Sequence, residues 1–334
     1  MIAKTPVGRT GLELTELGLG AASLAGIFSP VPETDARATL KAARDAGIAY
    51  VDTAPFYGHG LSERLVGDAL RGDPDYVLST KVGRLLRPGA AADPGAWVTA
   101  LPFTPVYDYS YDGVMRSFEA SLQRLGLDRI DILYMHDIGN LTHGPEAGPV
   151  LFRTAMEGGY RALDELRRSG AIRAIGLGVN ECEVCRAALD HGDWDLFLLA
   201  GRYTLLEQAP LDDLFPACAA AGTEIVVGGP FNSGVLVGGD TFDYGAVPQE
   251  IAAKVRTMTE VCRAHDVPLP AAALQFCRAH PLVRSTIPGP RSPSELADIL
   301  TWWHTPVPPA LWRDLKAAKV LRADAPVPEE ESVS

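Results

Sequence analysis

Apolar positions along the chain alternate between two rhythms. Short β-branched or aliphatic runs are followed, after a turn, by Ala/Leu/Arg-rich segments whose apolar residues recur at three- and four-residue spacing. The first rhythm predicts strands over 17–20, 49–52, 76–81, 130–136, 172–176, 196–199, 224–228 and 283–287. The second predicts helices over 32–46, 61–70, 111–125 and 160–169, each followed closely by a glycine (Gly47, Gly72, Gly126, Gly170) suited to the left-handed cap. Further helices are expected over 181–191, 211–221, 249–265, 270–279 and 294–300, with an extra one over 309–321.

Strands alternating with helices in this way describe βα units. The chain has 334 residues, 47% hydrophobic, and no composition break before a Pro/Glu-rich end. One (β/α)8 barrel (a TIM barrel) over residues 1–323, with a tail over 324–334, is therefore favoured over two doubly wound domains. The leading GRTGLELTELGLG reads as an N-terminal β-hairpin turning at Thr10-Gly11, and the segment from 309 as an extra C-terminal helix.

Charge narrows the partners. A net charge of -12 argues against nucleic acid and anionic membranes. No apolar run approaches a bilayer span and the first residues lack a signal-peptide core, so a cytoplasmic protein, monomer or homodimer, is expected. Five cysteines form no regular framework, which suits a reducing compartment. Cys182 and Cys185 make a CxxC, and Cys262 and Cys277 each precede a histidine by three, but all lie in predicted helices without a second CxxC, so no metal is expected.

Barrel enzymes work at the C-terminal ends of their strands. Four reactive side chains fall there: Asp52 ends the second strand, Tyr57 follows in its loop, Lys81 ends the third and His136 the fourth. Near one another, Asp52 and Lys81 would pair, and the ammonium beside Tyr57 would lower a phenol pKa that starts near about 10. Tyr57 could then exchange a proton, and His136 could orient a substrate oxygen. Singly, each has a plain alternative: a bracing ion pair, a packed tyrosine, a satisfied core histidine. Their coincidence at adjacent strand ends favours chemistry.

With these residues in place, the chain resembles the aldo-keto reductases. VDTAPFYGHGLSERLVGDAL is similar to that family's signature, with Gly58 and Glu63 opening the next helix at a less strict spacing; STKVG carries the lysine and DRIDILYMHDIG the histidine. The resemblance runs from GRTGLELTELGLGA to IPGPRSPSEL and implies a catalytic tetrad of Asp52, Tyr57, Lys81 and His136 with a nicotinamide dinucleotide. A Rossmann fingerprint is absent, since Gly18-Leu19-Gly20 is followed by Ala21, Ala22 and Ser23. The resemblance instead implies a cofactor extended across the strand ends. Asn180 would hold the carboxamide, Gly229, Pro230, Phe231, Asn232 and Gly234 the pyrophosphate, and Pro288, Gly289, Arg291 and Glu295 the adenosine end, with Gly20, Ala21 and Asp52 also in contact. Ala200 replaces the usual Gln, leaving Arg202 or Tyr203 to supply that contact. Gly289 and Glu295 stand where NADP-preferring relatives carry Lys and Arg, so NAD is expected, with NADP admitted by the nearby Arg291.

The long segment after Lys81 contains Trp97, Phe103, Tyr107, Tyr109 and Tyr111, aromatic surface of the kind a sugar ring needs. YDYSYDGVMRSFEASLQRLGLDRIDILYMHDIG and AGRYTLLEQ resemble the sugar dehydrogenase branch, the D-threo-aldose 1-dehydrogenases acting on L-fucose and L-galactose, with pyridoxal 4-dehydrogenases close by. That resemblance implies oxidation of a hemiacetal hydroxyl to a lactone. Trp97, Tyr109 and Asp137 would then bind substrate beside Tyr57 and His136. Rival readings are a general aldehyde/ketone reductase and a non-catalytic nucleotide-binding regulatory subunit.

Overall fold

The computed structural model describes residues 2–328. Eight parallel strands form the barrel: β1 (Leu19–Gly20), β2 (Tyr50–Asp52), β3 (Val77–Val82), β4 (Ile132–His136), β5 (Ala174–Val179), β6 (Leu196–Ala200), β7 (Glu224–Gly228) and β8 (Val283–Ile287). Each pairs with the next, and a bridge between Leu17 and Thr286 closes the ring. Apart from short β1, the strands are buried almost throughout, as expected for a parallel sheet covered on both faces.

Two cores result. Inside the barrel Tyr50, Ile132, Tyr134, Leu198, Val226 and Ile287 pack with Val7, Leu12 and Leu14 of an N-terminal hairpin (Lys4–Val7 with Leu12–Thr15), which plugs the end opposite the expected site. The larger core lies between barrel and helices. Helices α1 (Glu33–Asp45), α2 (Leu61–Leu70), α3 (Tyr111–Leu125), α4 (Asn140–Thr154), α5 (Tyr160–Arg168), α6 (Cys182–Ala188), α7 (Leu214–Ala221), α8 (Gln249–Ala264), α9 (Leu269–Arg278), α10 (Pro293–His304) and α11 (Pro309–Ala317) surround it.

The structure departs from the sequence pattern in three places. Helix α4 was not expected, because Gly144, Pro145, Gly148 and Pro149 interrupt its periodicity; Gly144 indeed breaks it with φ 74° and ψ 168°. The long segment after Lys81 is not merely a loop: Arg84–Pro88 and Phe103–Tyr107 pair as an antiparallel ribbon. Its tip crosses to the loop after β1, where Ile27 bridges Trp97 and Val98 N–H donates to the Gly26 carbonyl at 3.0 Å. A smaller ribbon, Thr241–Phe242 with Gly245–Ala246, follows β7. Of the expected tail, Ala325 is buried and its carbonyl accepts from Lys316, so the packed body extends past residue 323, while 329–334 lie outside the described residues. Among the described residues, no helix is long and apolar enough to cross a membrane, and none of the His, Cys, Asp and Glu groups could hold a metal.

Candidate active site at the strand ends

Adjacent strands bring the four expected residues together. Lys81 Nζ donates to Asp52 Oδ2 at 2.6 Å and to the Thr53 carbonyl at 3.0 Å, while Ser79 Oγ donates to Asp52 Oδ1 at 2.7 Å. Both members of the pair are almost fully buried. Burial pushes the Asp52 carboxyl up, and Lys81 pulls against that shift. The ammonium sits 4.6 Å from the centroid of the Tyr57 ring, and the Tyr57 and His136 rings meet edge-on at 5.7 Å.

One electrostatic expectation is corrected. Lys81 was expected to lower the Tyr57 phenol, yet its ammonium is engaged by Asp52 and Thr53. Burial, then the negative charge of Asp52, drives that phenol well above its ordinary range. Tyr57 is therefore a protonated donor at neutral pH in this state. Burial, then the cations Arg84 and Lys81, pushes His136 well below its ordinary range, so its imidazole is neutral; its Nδ1 is buried without a partner.

An aromatic wall covers this centre. Trp97, carried in by the ribbon tip, lies 5.5 Å from the Tyr57 ring, and Phe56 meets Trp97 edge-on at 5.6 Å. Tyr109, expected to touch substrate, is 1% exposed instead: its hydroxyl donates toward the carbonyls of His136 (2.9 Å) and Asp137 (3.1 Å) and meets His143 Nε2 at 2.9 Å. It holds the β4 loop from behind. Asp137 sits in the left-handed region at φ 45°, with Oδ2 3.4 Å from His136 Nε2. Arg84 NH2 donates to the same oxygen at 2.5 Å. Arg84 escaped the sequence reading, because nothing local marks an arginine three residues past Lys81 as an active-site group.

The other arc of the rim, from β5 round to β1, carries most of the expected cofactor residues. Asn180 Nδ2 donates to the Ala200 carbonyl at 3.1 Å and to Tyr244 Oη at 3.4 Å. Arg202 Nε donates to the Asn180 carbonyl at 2.7 Å, and its NH2 pairs with Asp243. Tyr203 is not at this rim: it is fully buried among Phe215, Phe276 and His280, so it supplies no contact in place of the missing Gln. Phe231 packs edge-on against Trp302 of α10. After Gly229 and Pro230, the successive residues Asn232, Ser233 and Gly234 have φ of 47°, 59° and 106°. In this left-handed run the Asn232 and Gly234 N–H groups close the turn by donating to the Gly229 and Phe231 carbonyls at 3.0 Å, and the space beside Gly234 is open. Asn232 is fixed by Thr204 Oγ1 (2.6 Å) and the Gly201 carbonyl (3.2 Å). Between β1 and β8 the backbones of Gly20 and Pro288 are hydrogen-bonded at 2.9 Å, and Ala21 N–H donates to the Asp52 carbonyl. Gly289 packs against Ser23, and Arg291 Nε and NH2 bind Glu295 in the first turn of α10 at 3.0 and 2.8 Å.

The chain as a whole has relatives among known proteins. The model of the Aldo/keto reductase family matches residues 16–319. A pyridoxal 4-dehydrogenase of Microbacterium luteolum is 44% identical, covering 94% of this chain and 96% of its own. A D-threo-aldose 1-dehydrogenase of a Pseudomonas species is 39% identical over 93% and 96%. The holo structure of an aldo-keto reductase from Bacillus halodurans superposes with a TM-score of 0.76 at 26% identity, covering 99% of both chains. With a closed barrel, the four side chains assembled at its mouth and these relatives, the chain belongs to the aldo/keto reductase family, near its aldose dehydrogenase branch, and is an NAD(P)-dependent oxidoreductase.

Proposed function

We propose that the enzyme oxidises the hydroxyl of a cyclic hemiacetal to a lactone. Aldoses such as L-fucose, L-galactose and D-arabinose close into such rings. Pyridoxal does too, through its neighbouring hydroxymethyl group, so one site chemistry covers the substrates named by both relatives above. The observation that carries the reading is the placement of Trp97 against Tyr57, an apolar ring face beside a proton-exchanging phenol.

A nicotinamide dinucleotide, when bound, supplies the hydride acceptor. The open space beside Gly234 leaves room for its phosphates, with Gly229, Pro230 and Phe231 shaping that loop. Asn180 is left to face the carboxamide, and Gly20, Ala21, Pro288, Gly289, Arg291 and Glu295 the far end. In oxidation the hemiacetal carbon gives up a hydride and its oxygen a proton. The deprotonated form of Tyr57 takes that proton, Lys81 offsets the charge of Asp52 beside it, and the neutral imidazole of His136 orients the oxygen. NAD is the proposed cofactor, since a 2′-phosphate has to displace Glu295 from Arg291 before that arginine can bind it.

A second reading, reduction of aldehydes, is favoured by one observation: the Tyr57 phenol holds its proton. Reduction of NAD and NADP scanned against L-fucose, L-galactose, D-arabinose and pyridoxal separates these readings. The Tyr57→Phe variant, with cofactor binding measured separately, tests the mechanism. A loss of about 10²–10⁴-fold in turnover is expected, and turnover near wild type would end this account.

A further inference from the structure

The proposed proton transfer does not use the ion pair of Arg84 and Asp137 that stands beside the reacting centre. Arg84 is 3% exposed, its guanidinium carbon 4.0 Å from the centre of the Phe56 ring and 5.2 Å from that of Tyr107. Buried between two rings, it presents its charge to Asp137, whose side chain is 18% exposed. Asp137 is therefore the accessible member of the pair. Its Oδ2 takes Arg84 at 2.5 Å and stands 3.4 Å from His136 Nε2, while Oδ1 accepts no hydrogen bond among the described residues. Its backbone, left-handed at φ 45°, is fixed by the Tyr109 hydroxyl on the carbonyls of residues 136 and 137. A carboxylate so immobilised cannot swing away from a substrate that it does not suit.

We propose that Arg84 and Asp137 form a charge-selecting subsite, in which Asp137 Oδ1 accepts a substrate hydroxyl and excludes substrates bearing a carboxylate or phosphate. Burial pushes the Asp137 carboxyl up, while Arg84 pulls against that shift and holds the carboxylate in place from between the two rings. The selectivity has two parts, a hydrogen bond for a neutral polyol and like-charge repulsion for an acid. This substrate class rests on the hemiacetal reading above.

L-Fucose, L-galactose and L-galacturonate differ only at C6, as methyl, hydroxymethyl and carboxylate, and are the probes. In the full-length wild type, kcat/KM for L-galactose should exceed that for L-galacturonate by about a hundredfold, chiefly through KM. Asp137→Asn keeps the shape and removes the charge, and should shrink that ratio by about tenfold or more. Titration with NADH, followed by protein fluorescence, should give the variant a cofactor affinity within about twofold of wild type. A wild-type ratio near one overturns the proposal without any variant; so does an unchanged ratio in Asp137→Asn. If no hemiacetal is oxidised, the functional reading fails. The subsite is then judged on reduction of glycolaldehyde against glyoxylate, where the same preference and the same loss are expected and their absence overturns it.

Discussion

Replacing Lys81 with Met removes an ammonium and little else. Asp52, 2% exposed, is left with one hydroxyl donor, Ser79, and the Thr53 carbonyl loses its partner. Removing one member of a buried pair costs about 3–5 kcal/mol. For 334 residues, an unfolding entropy of about 2.1 cal/mol/K per residue sums to about 0.7 kcal/mol/K, so the melting temperature should fall by about 4–7 °C. Burial already holds the Asp52 carboxyl above its ordinary range, and Lys81 is the main force pulling it down. Without Lys81 the folded-state pKa rises further above the unfolded one, and the folded protein takes up the proton more readily. The deficit of Lys81→Met relative to wild type should therefore be full above that raised pKa and shrink as the pH falls through it. Asp52→Asn combined with Lys81→Met removes the uncompensated charge and should recover much of the loss. Thermal melts followed by circular dichroism from pH 5 to 9 measure both variants beside the wild type. A deficit independent of pH, or a double variant as unstable as the single, would refute the assignment of the cost to a stranded carboxylate.

Three further outcomes are expected. Because burial and Asp52 hold the Tyr57 phenol well above its ordinary range, oxidation should quicken with rising pH through the alkaline range while reduction does not, read as kcat/KM in both directions; a flat oxidative profile speaks against Tyr57 as the base. Glu295→Ala frees Arg291 and should raise the preference for NADP over NAD by about tenfold, measured as a ratio of kcat/KM values, with no change if neither residue meets the ribose. Glu63, fully buried, accepts from Thr80 Oγ1 at 2.7 Å and Arg124 Nε at 2.5 Å; Glu63→Ala should cost about 2–3 kcal/mol in urea unfolding, and a neutral result would show that Arg124 finds another partner.

The barrel was legible because its signals are local and repeated. Glycines at 47, 72, 126 and 170 all adopt positive φ after the helices they were expected to close, and the strand runs are apolar because both faces are covered. What escaped depends on distance along the chain. Helix α4 carries Pro145 and Pro149 within its span and buries only Gly148 of its own residues, so no apolar stripe could announce it. The ribbon at Arg84–Pro88 and Phe103–Tyr107 pairs across a loop too long for a turn signature, and its strands are half exposed, without clean alternation.

At the site the same division holds, with one instructive failure. Asp52 and His136 end strands and Lys81 stands one residue before the end of its own, so finding the strands placed them. Their charges were not equally legible, because the pKa of Tyr57 depends on how the ammonium divides itself between partners. A sequence reveals that Lys81 and Asp52 are neighbours on adjacent strands, but not that the Thr53 carbonyl, one residue on, takes a second of the three Nζ donors. Lys81 stands 4.6 Å from the centre of the Tyr57 ring and makes no hydrogen bond to its hydroxyl among the described residues. The expected activation of the phenol then gives way to the cost of burying a phenolate. Tyr203 fails for a related reason: it stands three residues past Ala200, and the turn through Gly201 and Arg202 sends its ring into the helical layer instead of across the rim. Arg84 is the converse case. No spacing rule marks it, but a guanidinium packed between Phe56 and Tyr107 has its charge aimed at Asp137, and it links the ribbon that carries Trp97 to the loop that follows His136.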